Sequence, residues 1–175
     1  PTHPFSSDPV ELEQAISQAP ATGMTALYDA IVKALEMLKE GGPDKKVLLV
    51  ISDGGDNAST HTLPETLRLA EQSDAIVYTV GIFDQYDPDR NPKVLRRLAE
   101  VTGGLAFFPT RLEEVSAICS RIAHDIRSQY TIGYTPSNPG RPGEYRTIRV
   151  AATAPHRGKL IVRTRTGYRV GGEPR

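Results

Sequence analysis

Lys46-Val47-Leu48-Leu49-Val50-Ile51-Ser52-Asp53-Gly54-Gly55-Asp56-Asn57 is the stretch that decides the fold. Val47 to Ile51 is an unbroken apolar run with three β-branched residues. It shows no alternation, so neither side of the strand is written for water. Such a run fits a strand covered on both faces, as in a parallel sheet. It empties into a polar, glycine-rich turn that begins with Asp53. Two further runs have the same character. Ala75 to Ile82 predicts a second buried strand, and Leu105 to Phe108 predicts a third, shorter one.

Between these runs the apolar period changes to that of helices. Leu27, Ile31, Ala34, Leu35 and Leu38 form one stripe, in a helix that opens at Thr25 and stops at Gly41-Gly42-Pro43. Asp8-Pro9 opens a short helix over 9–18. Leu63-Pro64-Glu65 starts another that ends at Asp74, and Pro92 to Val101 is closed by Thr102-Gly103-Gly104. Leu112 to Ser128 predicts the last helix, with Val115, Ile118, Cys119, Ile122 and Ile126 inward. Strand and helix in alternation predict an α/β protein, a Rossmann-like parallel sheet flanked by helices with right-handed crossovers.

The pattern changes after Gln129. Residues 130–134, 145–150 and 160–165 alternate apolar and polar side chains, the period of half-exposed antiparallel strands. The chain therefore divides into an α/β part over 1–128 and a β-rich C-terminal extension over 129–175. Charge changes in the same region. Residues 1–139 carry 12 Lys+Arg against 19 Asp+Glu, and residues 140–175 carry 9 against 2, so net −7 faces net +7. The two parts are expected either to attract or show partners different faces, or, on the plainer reading, to leave the tail a basic strand pair with solvated Arg side chains.

Overall composition bounds the function classes. With 175 residues, 38% hydrophobic and 24% charged, the chain has the size and make-up of one globular domain with an appendage. Formal net charge is zero, which gives no global pull toward nucleic acid or a membrane surface. The single cysteine, Cys119, excludes a disulfide within the chain and reads as a small core residue. No apolar run is long enough for a membrane span. No signal peptide is visible, and the chain opens at Pro1 without a Met, which leaves room for an upstream segment.

Two residues carry the candidate chemistry. Asp53 leaves a buried strand at its carboxyl end, where open parallel sheets bind ligands. Its carboxylate suits a divalent cation, directly or through water, and equally suits a cap on the turn that follows. Thr25 offers a hydroxyl at a helix start, where an N-cap is the commoner role and ligation of a hard cation the alternative. Asp84, Asp87 and Asp89 lack the spacing of a calcium loop and read as a solvated acidic loop. His61 has no second His or Cys at zinc spacing. No phosphate-binding loop and no nucleophile elbow is present.

Gly23-Met24-Thr25-Ala26-Leu27-Tyr28-Asp29-Ala30-Ile31 resembles the Gly-x-Thr-Ala-Leu-Tyr-Asp-Ala segment of bacterial von Willebrand factor A (VWA) domains. Val47 to Asn57 is similar to their central strand and its metal-site Asp. Val80-Gly81-Ile82 and Leu98 to Gly104 are similar to two further family segments. Tyr130 to Tyr134 resembles the VWA-related proteins of Acidobacteria. The likeness spans residues 5–135 and is less specific in the tail. It implies a metal-ion-dependent adhesion site (MIDAS) holding Mg²⁺, or Mn²⁺ or Ca²⁺, with Thr25 and Asp53 as its metal residues here. The ion's open position then accepts a carboxylate from a protein partner, in a bacterial protein that is secreted, periplasmic or attached to the cell envelope.

The chain departs from that family in one respect. The D-x-S-x-S motif that supplies three of the five side-chain oxygens is absent, and Pro1 to Asp8 resembles the end of the family's third strand. The first three strands and the first helix are expected to be missing, which predicts weak metal affinity and an uncovered edge on the strand of Val47 to Ser52. The expected function is a divalent-metal-dependent protein-binding module, not an enzyme, with no catalytic residue, no nucleic-acid partner and no membrane span. Two alternatives stand beside it: a metal-free scaffold, and a Rossmann-like hydrolase using Asp53.

Overall fold

A computed structural model of the chain describes residues 4–19, 23–42, 45–83, 86, 88–156 and 158–170. The three apolar runs form strands β1 (Val47–Ser52), β2 (Ile76–Gly81) and β3 (Ala106–Phe107), paired in parallel in the order β1-β2-β3. Five helices accompany them: α1 (Pro9–Ser17), α2 (Leu27–Glu40), α3 (Leu63–Gln72), α4 (Pro92–Thr102) and α5 (Glu114–Arg127). The protein is a mixed α/β structure, as the alternation of periods predicts.

The layers follow from how β2 is buried. Val77, Tyr78, Thr79, Val80 and Gly81 are all buried, so both faces of β2 need cover. On one face Val50 and Val77 pack with Leu27, Ile31 and Leu35 of α2, Ala70 of α3, and Val94, Leu95 and Leu98 of α4. On the other, Tyr78 and Val80 pack with Ile122, Ile118 and Ile126 of α5. Two hydroxyls enter the core and are satisfied there, as buried polar groups must be. Thr79 Oγ1 donates to the Leu95 carbonyl at 3.1 Å. Thr102 Oγ1 accepts the Val77 N–H at 2.9 Å and donates to the Ala99 carbonyl at 3.0 Å.

Local signals end the helices where expected. Asp8 caps α1, its Oδ1 accepting the Val10 N–H at 2.8 Å. Asn91 caps α4, and Gly103 closes it in the left-handed region at φ +84°. Helix α1 nevertheless buries no residue, and Val10 and Ile16 are exposed. Helix α5 also differs from its predicted stripe. Ile122 is its buried residue, with Val115, Ile118 and Ile126 half-buried, while Cys119 is exposed and is not a core residue. Cys119 lies four residues after Val115 and three before Ile122, so it falls at the margin of the same stripe, where the cover ends.

The tail departs furthest from the sequence reading. Residues 130–134 form no strand, and Tyr130, Ile132 and Tyr134 are exposed. Alternation equips a segment for a sheet, but without a neighbouring edge there is no ladder to join. Residues 160–165 are not a strand either. Tyr145–Thr147 (β4) pairs antiparallel with Gly167–Arg169 (β7), and Thr153–Ala154 (β5) with Gly158–Lys159 (β6). The basic tail does engage the acidic part of the chain. Arg163 pairs with Asp125 at 2.8 Å, Arg169 with Glu71 at 4.0 Å, and Arg165 donates to the Ser73 carbonyl at 3.0 Å. These contacts gather at the amino ends of the strands.

Leu98 is fully buried and Leu112 is 71% exposed. Leu98→Ala should cost about 2–5 kcal/mol in chemical denaturation, because a cavity opens between α4 and the sheet. Leu112→Ala should stay within about 0.5 kcal/mol.

Candidate functional site at the carboxyl rim of the sheet

The turn after β1 is shaped by its first glycine. Gly54 sits at φ +82°, and a Cβ there would lie 2.3 Å from the Asn91 carbonyl oxygen. Only glycine meets both conditions without strain. The chain can then fold back under the start of α4, where the Asn91 N–H donates to the Asp53 carbonyl at 2.8 Å. Asp53 leaves the carboxyl end of β1 half-buried. Its Oδ1 accepts the Gly55 N–H at 2.9 Å and approaches Ser52 Oγ at 3.4 Å, so the capping reading of this residue is realised. Its other oxygen has no hydrogen-bond partner among the described residues.

Thr25 is brought to the same rim. Its N–H donates to Asn57 Oδ1 at 2.8 Å, and its carbonyl accepts the Asn57 and Ala58 N–H groups at 3.0 and 3.1 Å. The Thr25 side chain is not the helix cap, however. Helix α2 begins at Leu27 with Ala26 in the cap position, and Ala26 supplies no side-chain acceptor. A helix start leaves several N–H groups without partners. Here the loop after β1 supplies acceptors from elsewhere in the sequence. Asp56 Oδ2 accepts the Tyr28 N–H at 2.9 Å, and Ser59 Oγ accepts the Asp29 N–H at 3.1 Å.

The exchange is reciprocal. Asp29, in the first turn of α2, accepts the Thr60 and His61 N–H groups at 2.9 Å each, and its Oδ1 lies 2.7 Å from His61 Nδ1. Backbone donation from Thr60 and then His61 holds the Asp29 carboxyl far below the ordinary carboxylate range. Burial works to raise Asp56, but hydrogen bonds from Ser59, Tyr28 and Leu27 outweigh it and leave its carboxyl lowered. Tyr28 is pushed up by burial first and by the Asp56 charge second. Both carboxylates stand at a helix amino end, where negative charge is favoured.

Sequence reasoning singled out Thr25 and Asp53 but not Asp29, Asp56, Asn57 and Ser59, which fasten the two segments together. With the helix read as opening at Thr25, no local signal pointed to them, and the missing cap emerges only from the observed start of α2. A helix starting at Leu27 without Ser, Asp or Asn at Ala26 needs its cap from a distant part of the chain. Of the acidic loop 84–91, Asp84 and Asp87 lie outside the described residues, and Asp89 is exposed. His61 is engaged with Asp29. Among the described residues no group of three or more His, Cys, Asp or Glu is arranged to hold a metal ion. A cavity of about 1020 Å³ lies at the opposite rim, lined by Glu71, Asp74, Gln129 and Arg165 among others. Its Arg residues are already bonded to Asp125, Glu71 and the Ser73 carbonyl.

Comparison with known proteins adds little to this geometry. No protein-family model and no curated protein matches the chain. One solved structure similar to it is named "Crystal Structure of Uncharacterized Membrane Spanning Protein from Vibrio fischeri", at 20% identity and a TM-score of 0.41, covering 68% of this chain and 67% of that one. The expectation of a secreted, periplasmic or envelope compartment is withdrawn on this finding, since the similar structure is named as membrane-spanning. At that TM-score the name assigns no other compartment to this chain. Among the described residues no helix is long and apolar enough to cross a membrane.

Because the Asp29 carboxyl is lowered in the folded chain, the stability it contributes is complete above about pH 4, its unfolded range, and is lost as pH falls through the folded value. Asp29→Asn should lower the urea midpoint at neutral pH. The gap to the wild type should close as pH is taken from about 5 to about 2. A gap independent of pH would contradict this role for the carboxylate.

Proposed function

We propose that this chain is a protein-binding module of the VWA type, not an enzyme, whose contact centre is the carboxyl rim carrying Thr25 and Asp53. The observation that supports it most is the fastening of these two residues, 28 positions apart, through Asn57 and the reciprocal caps. Both offer hard oxygen, the donor type that Mg²⁺, Mn²⁺ and Ca²⁺ select. In this reading the Thr25 hydroxyl and the uncommitted Asp53 oxygen hold one divalent ion, and water fills most of its remaining positions. A carboxylate from the protein partner takes the last. Two protein oxygens are few for an ion that takes six or more ligands, so affinity in this chain is weak.

A metal-free scaffold is the second reading, and a specific observation favours it. Asp53 already caps its own turn through Oδ1, and no acidic, His or Cys cluster stands beside it among the described residues. In that case the rim is a rigid polar surface that binds its partner without an ion.

Titration calorimetry with Mg²⁺ separates the two. The cation reading expects binding at about 10⁻⁴ M or weaker, lost in Asp53→Ala and reduced at least about tenfold in Thr25→Ala. It also expects a thermal midpoint that rises with Mg²⁺ and falls with chelator. Equal heats in the wild type and Asp53→Ala leave the metal-free reading.

A further inference from the structure

Helix α4 turns Val94, Leu95, Leu98 and Ala99 into the core, which leaves Lys93, Arg96 and Arg97 together on its exposed side at spacings of three and four. None of the three forms an ion pair among the described residues, and Glu100, next on the same stripe, does not pair with them. They stand uncompensated in a part of the chain whose net charge is −7. Elsewhere in that part Lys33, Lys46 and Arg111 are each paired with a carboxylate.

Arg96 has a fixed support. Its guanidinium carbon lies 5.2 Å from the centroid of the Phe108 ring, and Phe108 stacks on Phe83 with centroids 5.6 Å apart. Phe83 follows β2 and Phe108 follows β3, so the two rings stand at the carboxyl ends of adjacent strands. Gly81 lets them close over the end of β2, since a Cβ there would lie 2.6 Å from an atom of each ring. A guanidinium resting on an aromatic face has less freedom to lose when it binds a planar acceptor. A carboxylate matches its fork with two parallel hydrogen bonds.

We propose that the Lys93, Arg96 and Arg97 side of α4 binds a short acidic peptide segment of a protein partner, with one carboxylate on Arg96 above Phe108 and further acids on Lys93 and Arg97. Charge complementarity selects this occupant. Phosphate shares the geometry of the fork, but the loops beside the start of α4 carry Asp53 and Asp89, which repel a continuous phosphate backbone. A short peptide can confine its carboxylates to α4. Ile82, 39% exposed and adjoining Phe83 in the chain, offers the segment an apolar contact next to the rings. The surface includes neither Thr25 nor Asp53, so this inference does not depend on a cation at the rim.

Fluorescence anisotropy with a fluorescein-labelled hexaglutamate peptide tests it, with chelator present to keep any rim cation out of the measurement. The wild type should bind at low salt, and affinity should fall as salt rises, because the charges are exposed. Arg96→Ala should weaken binding at least about tenfold, the loss of one charge-assisted pair. Arg96→Lys should recover only part of that loss, since an ammonium lacks the planar fork. Arg127→Ala removes an exposed arginine from α5, on the opposite face of the sheet, and should bind as the wild type does. Circular dichroism should be the same for all variants, as each replaced side chain is exposed. A chain that does not bind the peptide overturns the proposal, as does binding that Arg96→Ala leaves unchanged. A labelled hexathymidylate bound as tightly, and lost with the same substitution, also overturns it, because the surface then reads phosphate and not an acidic peptide.

Discussion

The fold rests on the burial of β2. A strand with both faces out of water forces helices onto both sides of the sheet, and the chain meets that demand unevenly. Three helices converge on the Val77 face, where Leu95 and Leu98 are fully buried. The other face has one covering helix, α5, and a smaller cluster around Tyr78, Val80 and Ile122. At about 25 cal/mol per Å² of apolar area, the better-covered face contributes the larger share of the hydrophobic stabilisation. The same imbalance leaves Leu49 and Ile51 in contact with water although their neighbours in the sheet are dry.

The rim at the carboxyl ends of the strands is held by a different kind of interaction. Helix α2 has no cap of its own, and the loop after β1 completes its first turn with Asp56 and Ser59. Asp29 returns the bonds to Thr60 and His61. A cap from a distant segment does two things at once. It satisfies helix N–H groups, and it fixes the position of the loop relative to the helix. Thr25 and Asp53 gain their fixed setting from this exchange and not from direct contact with each other. A binding surface built on such a frame loses little conformational entropy when a partner arrives.

The tail holds to the opposite rim largely through charge. Arg163 and Arg169 reach Asp125 and Glu71 while their own side chains remain more than 40% exposed, a setting in which ion pairs contribute about 0–1 kcal/mol each. The short ladders β4–β7 and β5–β6 add few backbone bonds. The tail is therefore attached more weakly than the helices are, and its apolar alternation at Tyr130, Ile132 and Tyr134 is left unsatisfied.

Hydrophobic period, together with the Pro, Gly and capping residues that punctuate it, determined the five helices and the three parallel strands of this protein. Long apolar runs and helical stripes are local patterns, and their burial demands do not depend on knowing the neighbours. Asp53 and Thr25 could be singled out for the same reason, as residues whose chemistry is written at one position. The partners of the cap-deficient α2, the exposed side of α5 at Cys119 and the pairing of 145–147 with 167–169 were decided only by the tertiary structure. Each depends on which distant backbone group or sheet edge comes within hydrogen-bond reach. An alternating segment such as 130–134 states that it can pair but not with what, and a carboxylate such as Asp56 reveals its role only when the N–H groups it serves are brought to it.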